Sequence, residues 1–408
     1  MSGARHLLHL ACGLLVVLAL ISLAPRESVQ AQSITPQAAL VRVLTAPQER
    51  STWFAPAFLA RVNVTQVQAV VQSVKAQFGP YKSVTPQPDG SYLVRFQRGT
   101  IRARIHLDGQ GRIDGLLFTN PQFIYVSRSA ALQGLQRLPG QISLLVLANG
   151  TPLLSVAPGR VLAVGSAFKL AVLAALQQRI NARRLSWTQQ VTLRAQDKSL
   201  PSGVLQTRPN GSRYTVAELA RYMIAIGDNT AADLLIHLVG RAAIAPLIPE
   251  RDRPILTTRE LFVLKDPANK GLRERYLAAA TPAARLAILA QVDQLPLPSL
   301  RVLVPLFARG PVAPQIEYFF NVRQLCGLMA RVQQLPQMSI NPGVADPAEW
   351  THVAFKGGSE PGVLNLTTMA TSHNGVTYCV SATWNNAALL DNGRFEALYS
   401  SVLHSLAH

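Results

Sequence analysis

One apolar run limits what this chain can become. Ala163 to Leu176 holds almost no polar side chain except Ser166 and Lys169. A run of that length and composition reads as a helix buried on all sides. A lysine inside it is costly, because an ammonium removed from water must find a partner or give up its proton. Ser166 stands three residues earlier, on the same helical face and one turn back. A hydroxyl beside a depressed amine is how a serine nucleophile is made. Gly165 precedes the serine at a strand-to-helix junction, so Ser166 reads equally as a helix N-cap with a snorkelling lysine.

Two further clusters follow in order. Gly227-Asp228-Asn229 interrupts two apolar helical stretches, and Gly227 lies 61 residues after Ser166. A carboxamide at such a turn can fix an amine and a substrate carbonyl, or simply cap the next helix. Phe355-Lys356-Gly357-Gly358-Ser359-Glu360-Pro361-Gly362 closes a strand-like segment. Its glycines permit close backbone approach, and Lys356 suits a carboxylate or developing negative charge. The N–H groups of Ser359 and Ser166 suit an oxyanion. The plainer alternative is a β-turn with a solvated lysine.

Together these clusters resemble the S-x-x-K, S-D-N and K-T-G motifs of the class A β-lactamase and penicillin-binding-protein superfamily. The segments Lys198 to Gln206 and Thr257 to Phe262 are similar to those of a two-domain subgroup that includes the cephalosporin esterase of the clavulanic-acid gene cluster. The resemblance spans about residues 33–405. It implies an acyl-enzyme on Ser166 with Lys169 as general base. Asn229 would contact Lys169 and the substrate amide, and Lys356 a carboxylate. Ser359, Gly358, Asp228 and Gly227 would line the oxyanion and substrate positions. No cysteine–histidine spacing suggests a metal, and no cofactor is expected.

The departures bear on the substrate. Gly227 replaces the serine that relays a proton to the leaving nitrogen, and Gly357 replaces the K-T-G threonine. No E-x-x-L-N motif is present, and Glu260 is the nearest acid at a comparable distance, read mainly as a salt-bridge partner. The expectation is a hydrolase acting on esters or related acyl compounds rather than an efficient β-lactamase. The alternative is a degenerate binding protein for cell-wall-like ligands.

The expected fold is α+β. A β-lactamase/transpeptidase-like domain over 140–408, with an antiparallel sheet built from both its ends and a helical subdomain inserted, follows a small isomerase/cyclase-like α+β domain over 32–131. In the smaller domain, helices at Gln48 to Val62 and Val64 to Phe78 precede strands at Ser91 to Gln97, Thr100 to Leu107 and Arg112 to Phe118.

Residues 1–31 read as an export signal: Arg5, an apolar stretch from Leu7 to Ala24, and a small-residue cleavage site at Val29-Gln30-Ala31. The apolar stretch is also long enough for an uncleaved anchor. Cys12 lacks a lipobox context. Export permits a disulfide between Cys326 and Cys379, yet with nothing in the sequence to show proximity they are read as two buried free thiols.

The formal charge of +18 is carried almost wholly by arginine, since only seven lysines occur. The basic residues are scattered, without a tract or an aromatic ladder, which argues against nucleic acid. Weak attraction to an anionic envelope fits better. The expected partner is a small ester or β-lactam-like molecule, and the oligomeric state is left open.

Overall fold

The computed structural model describes residues 34–200 and 202–408, so residues 1–31, read above as an export signal, and Cys12 among them lie outside the described residues. The described chain divides into two compact units. One comprises the residues up to Leu132 together with Asp391–Val402, and the other Gln133–Leu390 with Leu403–His408.

The first unit is a four-stranded antiparallel meander, Tyr81–Pro86, Tyr92–Phe96, Gly99–Leu107 and Ile113–Phe123, preceded by the helices Pro36–Thr45 and Val64–Phe78. Three of these strands are the expected ones. Tyr81–Pro86 was missed because Pro80 and Pro86 bracket it; at the edge of the sheet its missing N–H does no harm. The helix expected over Gln48 to Val62 is instead a 3-10 turn, Ser51–Trp53, and one short turn of helix, Pro56–Leu59. Pro56 disfavours helix at Ala55 and can only start a new turn. Val64–Phe78 is capped by Asn63, whose side chain accepts from Gln66 N–H at 3.0 Å while Gln66 returns a bond to Asn63 N–H. Its buried face, Val67, Val71, Val74 and Phe78, repeats at helical spacing and packs on Val94, Phe96 and Ile101 of the sheet.

The second unit is built on a five-stranded antiparallel sheet in the order His352–Glu360, Val363–Thr371, Thr377–Asn385, Gln141–Ala148, Thr151–Val156. Strands from its two ends therefore meet in the middle, with Leu145 opposite Ser381. Helices occupy the sequence between them, as the pattern predicts. Lys169–Asn181 has every residue from Lys169 to Leu176 buried, among the helices Asn229–Val239 and Val322–Val332.

The cysteines need a correction. Cys326 and Cys379 form a disulfide, with Cα atoms 5.9 Å apart. It joins the helix Val322–Val332 to the central strand Thr377–Asn385 inside the main core. Among the described residues no single helix is long and apolar enough to cross a membrane.

Candidate active site

The chain enters the site through Leu162–Ala163, which pairs with Phe319–Phe320, and then turns through a 3-10 segment, Gly165–Phe168, into the helix Lys169–Asn181. Ser166 lies in that turn and makes no side-chain cap bond, so the capping alternative fails. Gly165 is left-handed, with φ +49°. A Cβ on it would lie 2.9 Å from Ser359 N. A Cβ on Gly358 would lie 2.2 Å from Val164 O, 2.4 Å from Ser166 N and 2.5 Å from Ala167 N. The two glycines let the edge strand His352–Glu360 lie directly on the turn, bringing the amide nitrogens of Ser166 and Ser359 onto facing backbones. Ser166 is half-buried and Ser359 exposed, so solvent reaches this corner.

Lys169 is fully buried. Its Nζ lies 2.7 Å from Gly227 O, 2.7 Å from Asn229 Oδ1 and 3.2 Å from Ser166 Oγ. Burial first, and the positive charge of Lys356 second, lower its pKa to about 7. A neutral amine has two N–H bonds and one lone pair. The carbonyl of Gly227 and the carboxamide oxygen of Asn229 take the two hydrogens. As an ammonium, Lys169 donates to Ser166 Oγ as well; once neutral, its lone pair is what remains for the Ser166 hydroxyl to donate to. Asn229 is itself fixed, because its Nδ2 donates to Leu200 O at 3.2 Å.

Lys356 is buried at 6% exposure, and its strand continues through Glu360 to a turn at Pro361-Gly362. The β-turn alternative with a solvated lysine is thereby overturned. Its Nζ donates to Gly357 O at 2.6 Å. Gly227 faces the same space: a Cβ there would lie 3.9 Å from Lys356 Nζ and 3.2 Å from Ser202 Oγ.

Asp228 does not face the substrate side. Its carboxylate is fully buried and accepts from Ala231 N–H at 2.9 Å, Val204 N–H at 2.6 Å and Leu205 N–H at 2.9 Å. It caps the helix Asn229–Val239 and ties down the loop before it. Glu260 is equally occupied, accepting from Arg241 Nη2 at 2.6 Å and Thr257 N–H at 2.6 Å. It is the salt-bridge partner expected of it.

Sequence reasoning passed over Asp233 and Ser202. Asp233 accepts from the amides of Thr258 and Arg259 and from the Thr258 hydroxyl, holding the Thr257 segment in place. Its signal was an acid inside an apolar helical run. Ser202 belonged to the segment singled out at Lys198 to Gln206, but only a fold could bring it to Gly227.

One cluster among the described residues could hold a metal ion. Glu349, His404 and His408 each bring a ligand atom within 4.8 Å of the others, and none belongs to the Ser166 constellation.

No curated protein matches the chain. Among solved structures, PBP-A is similar at 19% identity over 68% of this chain and 95% of its own, with a TM-score of 0.46. A β-lactamase from Sphaerobacter thermophilus is 20% identical over 68% and 95%, also with a TM-score of 0.46. A β-lactamase from Chitinophaga pinensis is 15% identical over 69% and 99%, again at 0.46. At these TM-scores the similarities decide nothing about this chain. The family model described as the β-lactamase enzyme family matches residues 128–294, which take in the Ser166 turn, its lysine helix and the Gly227 turn. That segment lies in an α+β unit with an antiparallel sheet and packed helices, and over those residues the chain is similar to the β-lactamase enzyme family.

Proposed function

We propose that the second unit is an exported serine hydrolase that acylates Ser166, with Lys169 as general base. The observation that carries this reading is the Lys169 amine: fully buried, its pKa lowered to about 7, and its Nζ 3.2 Å from the Ser166 hydroxyl. Ser166 Oγ would attack an acyl carbon as its proton passes to Nζ. The amides of Ser166 and Ser359 would receive the oxyanion, and Lys356 would hold a substrate carboxylate. Esters or related acyl compounds fit better than β-lactams, because Gly357 lacks the K-T-G hydroxyl and Glu260, engaged by Arg241, is not free to serve deacylation. Export of the chain through residues 1–31 is supported by the disulfide, a bond favoured in oxidising compartments.

The commitment of Glu260 to Arg241 favours a second reading. With that acid engaged, deacylation would be slow, and the protein would act as a covalent or degenerate binder of cell-wall-like ligands. A fluorophosphonate probe tests the main reading. Wild type is expected to be labelled and Ser166→Ala not; equal labelling of both ends the idea.

A further inference from the structure

We infer that Ser202 supplies the leaving-group proton that Gly227 cannot, and that the site therefore accepts unactivated alkyl esters. This rests on the acyl-enzyme reading above. Ser202 Oγ stands 3.2 Å from where a Cβ at 227 would be, beside Lys356 Nζ at 3.9 Å from the same point. A serine at 227 would carry its hydroxyl into this space. Here the hydroxyl comes from the neighbouring loop instead.

That loop is built to hold it there. Gly203 has φ +97°, and a Cβ on it would lie 2.1 Å from Asp228 Oδ2 and 2.5 Å from Asp228 Cα. Only glycine lets the loop close this far onto the turn. Asp228 then grips the loop through the Val204 and Leu205 amides, and Asn229 N–H donates to Ser202 O at 3.1 Å. Ser202 is thus fixed from both sides, while its hydroxyl lies 3.5 Å from Ile226 O and its side chain stays half-exposed. Gly203 and Asp228 are positioning residues for it.

The proton transfers balance. Ser166 Oγ bonds the acyl carbon and gives its proton to Lys169 Nζ. As the acyl C–O bond breaks, the departing oxygen takes the Ser202 proton, and solvent reaching the half-exposed Ser202 hydroxyl returns it. The alcohol leaves neutral. The extra proton on Lys169 is released to solvent, which balances the one that Ser202 takes up.

The test compares acylation of the full chain by p-nitrophenyl, phenyl and ethyl esters of one acyl group, in wild type and Ser202→Ala. A p-nitrophenolate leaves readily without a proton, and an ethoxide does not. Ser202→Ala is expected to slow the p-nitrophenyl ester by about threefold or less and the ethyl ester by about 10²-fold or more, the span of general-acid catalysis. The ratio of rates within one variant does not depend on how much of it is folded. Equal slowing across the series, or no slowing, overturns the role of Ser202 and leaves the acyl-enzyme intact. A wild type acylated by the p-nitrophenyl ester alone also overturns it. A wild type acylated at Ser166 by none of the three overturns the parent reading.

Discussion

At the scale of single residues, the site is set by what surrounds one amine. Lys169 has no carboxylate among its hydrogen-bond partners, which are a carbonyl, a carboxamide and a hydroxyl. None of these compensates a full positive charge as a carboxylate would, so burial wins and the pKa falls to about 7. The sign for catalysis follows. Below about 7 the lone pair is protonated and the base is lost; above it the amine is free. Acylation by an activated ester is expected to rise as pH passes through about 7 and then level off, as a stopped-flow pH profile would show. Lys169→Met, which keeps the apolar stem, should lose about 10²-fold or more in rate at pH 8. A flat profile, or a Met variant as fast as wild type, would remove Lys169 as base.

At the scale of elements, the legible features were those written locally. The serine–lysine spacing, the turn at Gly227 to Asn229, and the strands at both ends of the second unit follow from periodicity and breakers alone. What the sequence hid is what long-range pairing decides. Lys356 could be a turn residue until Val363–Thr371 pairs with it through Glu360. Ser202 is an ordinary loop serine until Gly203 packs on Asp228. Cys326 and Cys379 stand 53 residues apart, a separation that says nothing of contact, and only the helix docking on the central strand brings them together. That closure constrains the unfolded chain, and losing it costs about 2–5 kcal/mol. Cys326→Ala with Cys379→Ala is therefore expected to melt well below wild type under non-reducing conditions. Added reductant should lower the wild-type midpoint toward that of the variant and leave the variant unmoved. A double variant as stable as wild type would show that packing alone holds the helix to the sheet.

At the scale of the whole molecule, the chain leaves the first unit at Leu132 and returns to it at Asp391. The returning segment is bound tightly within that unit. Arg98 pairs with Asp391 at 3.2 Å and donates to Ala76 O at 2.9 Å, while Val126 N–H donates to Ser401 Oγ at 3.2 Å. Gly393 packs so close that a Cβ would lie 2.3 Å from the carbonyl oxygens of Ala76 and Gln77. Phe395, Tyr399 and Val402 are buried. Each such side chain contributes about 1.5–3 kcal/mol when removed from water. Three of them amount to much of the roughly 5–15 kcal/mol that holds a domain together. Residues 34–132 alone should then be largely unfolded, despite carrying all four strands of the meander. The same fragment joined to residues 391–402 through a flexible linker should give a cooperative thermal transition by circular dichroism. Indistinguishable melts for the two fragments would mean that the meander and its two helices are a sufficient core, and that the returning segment only decorates it.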